Sequence, residues 1–166
     1  MRLYFIHDSL LLNSNAKTSV DKKILELITT ARVGHLATAA SNLQPYLTPV
    51  VFIALQNSIL IPLDDKPKII DVNRLRRVRN IEENPKVSFL VDHYDEDWTY
   101  LWFVMIIGNA KLIQLNRKSE RKTKEMTKIR NMFLKKYSQY TKIGIGKTYI
   151  KLMIEKTIYW KYMDKH

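Results

Sequence analysis

From Thr18 onward the apolar positions recur at helical spacing. Val20, Ile24, Leu27, Ile28 and Ala31 share one helical face, and Thr18 with Asp21 matches an S/T-x-x-D/E helix start. The pattern predicts a helix over 18–31 that lays this stripe against a sheet. Gly34 ends it and the period changes. His35–Ala39 reads as a strand of small residues, with Ser41-Asn42 as a hairpin turn. Tyr46–Leu55 reads as one returning strand, so continuously apolar that both faces are expected to be covered. Pro49 interrupts it. A proline cannot donate to a ladder, so it marks an edge, a bulge or an opening. Gln56-Asn57 turns the chain again, and Ile59, Ile61 and Leu63 alternate on a third strand.

Asp64-Asp65-Lys66-Pro67-Lys68 follows. From Asp71 a short helix is predicted, capped by Asp71 or Asn73, with Val72, Leu75, Val78 and Ile81 inward and Arg74, Arg76, Arg77 and Arg79 outward. Val87–Val91 is a fourth strand and Asp92–Asp97 an acidic loop. Tyr100–Leu115 is long and β-rich, with Gly108 marking a bulge or a close approach. Asn116 or Ser119 starts the longest helix, which runs to about Tyr137 on a stripe of Met126, Ile129, Phe133 and Tyr137. Gly144 and Gly146 form a turn before a last strand or bent pair over Tyr149–Tyr162. The strands 33–39, 46–55 and 58–63 are too close for helical crossovers, so they pair antiparallel. The pattern defines an α+β chain, mainly antiparallel β, with about six strands in a barrel and flanking helices. It excludes a doubly wound parallel sheet.

The 166 residues suit one domain with a sizeable core. That domain is expected over 17–166, behind a poorly ordered arm over 1–16 whose apolar pieces are interrupted by His7 and Asp8. No apolar run approaches the ~18 residues of a membrane span, so no membrane partner is expected. Cysteine is absent, which excludes disulfides, thiolate metal sites and thiol nucleophiles and suits a cytoplasmic location. Lys and Arg number 28 against 16 acidic residues, a net charge of +12 that favours polyanions.

Charge sharpens one stretch in particular. Lys66 and Lys68 flank a proline directly after a strand, where two ammonium groups and backbone N–H donors can converge on one phosphate. The arginines of 74–79 read equally as a phosphate-binding helix face or as a solvated one. The acidic loop lacks the glycine and glutamate of a Ca²⁺ loop and is expected to pair with neighbouring arginines; no metal site is read. His35 is expected to be a hydrogen-bonded core histidine. Alternation places Trp98, Tyr100 and Trp102 on one strand face, as core or dimer contacts. No nucleophile elbow, phosphate loop, zinc-protease or dinucleotide motif occurs. On these residues alone the chain is a basic, β-rich domain with a candidate anion site.

The ordered set VGHLATAASNLQPYLTPVVF, DDKPK, LRRVRNIEENPKVSFLVDHYDEDWTYLWFVMIIGNAKLI and FLKKYSQY resembles the pyridoxamine 5′-phosphate oxidase-like family of flavin-binding split barrels. It is most similar to the branch that includes deazaflavin-dependent members. The resemblance implies a six-stranded Greek-key split barrel, a homodimer with flavin at the subunit interface, and hydride transfer to or from a small-molecule substrate. FMN is the implied cofactor, with a deazaflavin coenzyme in the same groove as the alternative. Carried onto this chain, Thr48, Pro49 and Val50 border the flavin ring. Leu63, Lys66 and Lys68 border the ribityl phosphate, while Trp102 and Trp160 reach the site more loosely, across the dimer. Tyr46 borders the ring on the same strand, and the general acid is either Tyr46 or solvent. The arginine-plus-histidine substrate site and the R-L-x-P ending of a true pyridoxamine phosphate oxidase are missing, so vitamin B6 oxidation is not expected. A flavin- or haem-binding module without turnover is a second reading. A nucleic-acid partner on the Arg74–Arg79 face ranks below both.

Overall fold

The computed structural model describes residues 20–63, 74–115 and 120–162. Asp21 begins the first helix, its carboxylate accepting from the Lys23 N–H at 2.8 Å. Helix α1 spans Lys22–Thr30; Thr18 lies outside the described residues. Strands β1 (Gly34–Ala39) and β2 (Pro45–Val50) form an antiparallel hairpin. Its loop is held by Asn42, whose Oδ1 accepts from the Gln44 N–H at 3.1 Å.

The single strand predicted over 46–55 is in fact two. β2 ends at Val50, Val51 and Phe52 leave the ladder, and β3 (Ile53–Leu55) pairs with β4 (Ser58–Leu63). A buried corner of this kind needs its polar backbone groups matched. Tyr137 supplies the match. The Phe52 N–H donates to its hydroxyl at 3.0 Å, and the hydroxyl proton is shared between the carbonyls of Phe52 and Arg32, each at 2.9 Å. Coverage on both faces holds for β3 but fails for β2, where Pro45, Tyr46, Leu47 and Pro49 are exposed.

Helix α2 runs Arg76–Glu83; its predicted caps, Asp71 and Asn73, lie outside the described residues. After β5 (Lys86–His93) the acidic loop ends in a 3₁₀ turn over Trp98–Tyr100, capped by Asp97, so β6 begins only at Trp102 and runs to Gln114. Trp98 and Tyr100 therefore share no strand face with Trp102: the Thr99 N–H turns back onto the Asp97 carboxylate at 3.0 Å and breaks the alternation. Helix α3 (Glu120–Lys136), the short α4 (Tyr140–Ile143) and β7 (Thr148–Lys161) complete the chain.

All pairings are antiparallel, in the order β2-β1-β5-β6-β7-β4-β3. The two end strands are consecutive in sequence and separated by two residues, so the sheet must roll until its edges meet at the Val51-Phe52 corner. It does not close beyond that point. The result is a split barrel, mainly antiparallel, with helices alongside. β6 and β7 are long enough to serve both halves, pairing with β5 toward one end and β4 toward the other. They bend at a bulge where Glu155 has no partner between Ile107↔Lys156 and Gly108↔Ile154.

Alternation along β4 separates two cores. Ile59, Ile61 and Leu63 point into the barrel with Leu36, Phe52 and Phe89. Leu60 points outward with Ile53 to meet Phe133, Tyr137 and Tyr140 of the α3–α4 end. Every β4 residue is therefore buried.

Candidate functional site

The split in the barrel has two lips, both derived from the corner at Val51-Phe52. The β3–β4 ladder ends at Ile53↔Leu60, yet β4 continues through Leu63 paired on its other side with β7. On the opposite lip β2 pairs, among the described residues, with β1 alone and forms an edge of their sheet. Pro49 sits in that edge strand, which accounts for a proline in an apolar run: its missing N–H is not asked to join a ladder on the outer side.

The candidate residues Tyr46, Thr48, Pro49 and Val50 all lie on β2, and Leu63, fully buried, ends β4 on the other lip. Tyr46 and Thr48, two apart, share the face of their β1 partners Thr38 and Leu36. The Thr48 Oγ1 is shielded from solvent and has no hydrogen-bond partner among the described residues. Buried hydroxyls are rarely left so. A polar edge of a ligand lying along β2 would satisfy it, which is the respect in which this strand fits a flavin. Lys66 and Lys68 lie outside the described residues.

Trp102 and Trp160 are not brought together. Trp102 packs against the barrel core and stacks on His93, ring centroids 6.2 Å apart. Trp160 is on the opposite face of the sheet, stacked on its register partner Phe103 at 5.8 Å.

Beside Tyr46 the structure forms a pocket of about 340 Å³ between the β1–β2 hairpin and α2. Arg76 and Asn80 line it with Tyr46, Asn42 and Gln44. Arg76, Asn80 and Glu83 fall on one helical face, and that face is tied to the hairpin. The Asn80 amide donates to the Thr38 hydroxyl at 3.0 Å. The Glu83 carboxylate accepts from the Ser41 N–H at 3.0 Å and its hydroxyl at 2.9 Å. Those two bonds, with Arg79 and Arg76 nearby, hold the Glu83 carboxyl below its ordinary range. Asn80 is the site residue that sequence reasoning missed, and Arg76, read there only as one of an outward row of arginines, is singled out by the pocket. The readable signal was an asparagine four residues after an arginine on a helix whose other inward positions are aliphatic.

His35 is a correction. It alternates outward on β1, with its side chain 38% exposed and Nδ1 3.8 Å from Asp92 Oδ1, because the inward positions are taken by Gly34, Leu36 and Thr38. In the acidic loop, Asp95 accepts from the Asp97 N–H at 2.9 Å and lies 3.8 Å from His93. No three His, Asp or Glu side chains converge on a metal position among the described residues. No helix among them is long and apolar enough to cross a membrane.

Residues 20–161 match the sequence model of the pyridoxamine 5′-phosphate oxidase family, and the chain belongs to that family. A comparison with curated proteins finds no match. Among solved structures, the fold is similar to a conserved hypothetical protein of Mycobacterium tuberculosis at 17% identity, with a TM-score of 0.63 over 90% of this chain and 93% of the other. It is similar to HutZ, the haem storage protein of Vibrio cholerae, at 13% identity and a TM-score of 0.59 over 87% and 95%. It is also similar to an FAD-binding protein of Mesorhizobium loti at 16% identity and a TM-score of 0.58 over 86% and 95%.

Proposed function

We propose that this protein is a flavin-binding oxidoreductase acting as a homodimer on a small organic substrate, with FMN seated along β2. The observation that carries the reading is the β2 edge, unpaired on its outer side among the described residues, where Pro49 interrupts the strand and the buried Thr48 hydroxyl has no partner among those residues, at the lip of the split. When bound, the flavin supplies the redox chemistry at its ring, so no nucleophilic side chain is required. Thr48 and the backbone of Pro49 and Val50 hold the ring edge, Leu63 excludes water from the opposite lip, and Lys66 and Lys68 anchor the phosphate. The pocket beside Tyr46 receives the substrate. Arg76 on its wall favours a substrate carrying a carboxylate or phosphate, and the Tyr46 phenol is placed to give or take a proton there.

The dimer reading rests on the outer sheet face. Leu90, Met105, Ile107, Ile158 and Trp160 are half-buried, belong to neither core, and lie on neighbouring strands of one face. A second copy covers such a face without exposing apolar area.

The test is the chromophore. Purified protein should absorb near ~450 nm and release a flavin on denaturation. Lys66→Ala with Lys68→Ala should weaken flavin binding by about 100-fold while the dimer persists in sedimentation, as expected for losing two charged contacts to one phosphate. Unchanged affinity in that variant would remove the phosphate anchor. A deazaflavin in the same groove is separated from FMN by the mass of the released cofactor. The likeness to a haem storage protein keeps haem as the second reading, marked by an absorbance band near ~400 nm in place of the flavin band.

A further inference from the structure

The net charge of this chain is concentrated in one stretch. Between Lys111 and Lys151 there are 13 basic residues and 2 acidic ones, a net of +11 out of +12 for the whole chain. The fold gathers this segment at the α3–α4 end. Helix α3 turns Ile129, Phe133 and Tyr137 onto the outer face of β3 and β4. On the diametrically opposite side Lys124, Lys128, Asn131 and Lys135 form a continuous exposed row, spaced by four, three and four residues. At the rise of an α-helix the row extends about 16 Å. It borders a shallow groove of about 560 Å³ in which Thr127 and Met132 complete the lining.

Two further lysines lie on the sheet itself. Lys111 and Lys151 are register partners on β6 and β7, alongside Leu60 of β4, on the side of the sheet that carries α3. Like charges placed directly opposite across a ladder repel. No carboxylate lies within ion-pair distance of Lys111, Lys124, Lys128, Lys135 or Lys151 among the described residues. A polyanion would relieve that repulsion.

We propose that the α3–α4 end is a docking surface for the phosphodiester backbone of nucleic acid, independent of the flavin groove. The chemistry favours nucleic acid over an anionic membrane. The apolar side of α3 is spent on the second core, and among the described residues α3 and α4 expose one large apolar side chain, Ile143, which is too little to enter a bilayer. Duplex nucleic acid carries one negative charge per about 1.7 Å, dense enough for several of these lysines to be neutralised at once. Among the described residues no exposed aromatic side chain lies on this face; the exposed ones are Tyr46, Tyr94, Trp98 and Tyr100, on other elements. Recognition is therefore of backbone and not of base sequence.

The experiment uses the full chain with a fluorescein-labelled 20-base-pair DNA duplex and a duplex RNA of the same length, titrated by anisotropy between 50 and 300 mM salt. We expect both duplexes to bind, with a log–log salt slope of about −3 to −5. The triple variant Lys124→Gln, Lys128→Gln, Lys135→Gln should weaken binding at least tenfold and reduce the slope by about 2.7, at roughly 0.9 per phosphate contact. Arg74→Gln with Arg79→Gln, on the other basic face, should leave binding within twofold. The surface assignment is overturned by nucleic-acid binding that is absent at 50 mM salt, insensitive to salt, or unmoved by the lysine variant. It is equally overturned if the lysine row mediates binding to vesicles of 30% anionic lipid but not to either duplex.

Discussion

At Gly34 a Cβ would stand 2.1 Å from Phe89 Cζ, and at Gly108 it would stand 1.9 Å from the Met153 carbonyl oxygen. Neither space is available. Gly34 reads in sequence as a helix breaker, but in the fold it seats the ring that packs edge-on against Phe52 with centroids 4.8 Å apart. Gly108 faces backbone, which cannot move as a side chain can. Gly108→Ala should therefore cost about 3 kcal/mol or more in denaturant unfolding, and Gly34→Ala about 1–3 kcal/mol. Tyr137 is the other residue whose role depends on distant partners. Tyr137→Phe keeps the ring and strips the hydroxyl from the Phe52 corner, leaving a buried N–H and carbonyl unmatched; the expected loss is about 2–4 kcal/mol. Its neighbour Lys136 holds its ammonium 3.9 Å over the Phe52 ring, and burial, with Arg32 nearby, lowers its pKa to about 8. The folded pKa lies below the unfolded one, so between the two the unfolded chain binds more protons. Stability therefore rises with pH from about 8 toward the ordinary lysine value. Tyr137, whose pKa is raised by burial, works in the opposite sense only above its ordinary value of 10.0. Melting temperature measured from pH 7.5 to 9.5 should climb in the wild type and climb less in Lys136→Met.

At the scale of elements, local signals located most of the chain. The α1 stripe, the alternation on β4, the α3 stripe and the bulge at Gly108 were all readable from spacing and residue type. Asp21 at the head of α1 is a cap whose loss, as Asp21→Ala, should cost about 0.5–2 kcal/mol in the same unfolding measurement. The division of 46–55 into β2 and β3 was not readable. Nothing local distinguishes Val51-Phe52 from the apolar residues around it; the break is set by Tyr137, 85 residues away. The start of β6 was misplaced for a different, local reason. Asp97 competes for the backbone of Thr99, and that local bond overrides the β propensity of Trp98 and Tyr100.

For the whole molecule, the outer sheet face and the two lips of the split define what can be tested as an assembly. Leu90→Arg with Met105→Arg, neighbours across the β5–β6 ladder, should convert a dimer to a monomer in analytical ultracentrifugation. An unchanged sedimentation coefficient would overturn this face as the proposed dimer contact. Sequence by itself determined the fold class, the antiparallel pairing of the first strands, Pro49 as an interruption and the family, because each depends on period, loop length or an ordered set of short motifs. It also placed Tyr46, Thr48, Pro49 and Val50 on one strand. Only the tertiary structure decided that, among the described residues, this strand is an edge and the buried Thr48 hydroxyl has no partner, and that Arg76 and Asn80 meet Tyr46 in one pocket. Those are long-range facts. They arise when a sheet rolls until its first and last strands share a corner, and side chains distant in sequence then decide which backbone groups remain open to a ligand.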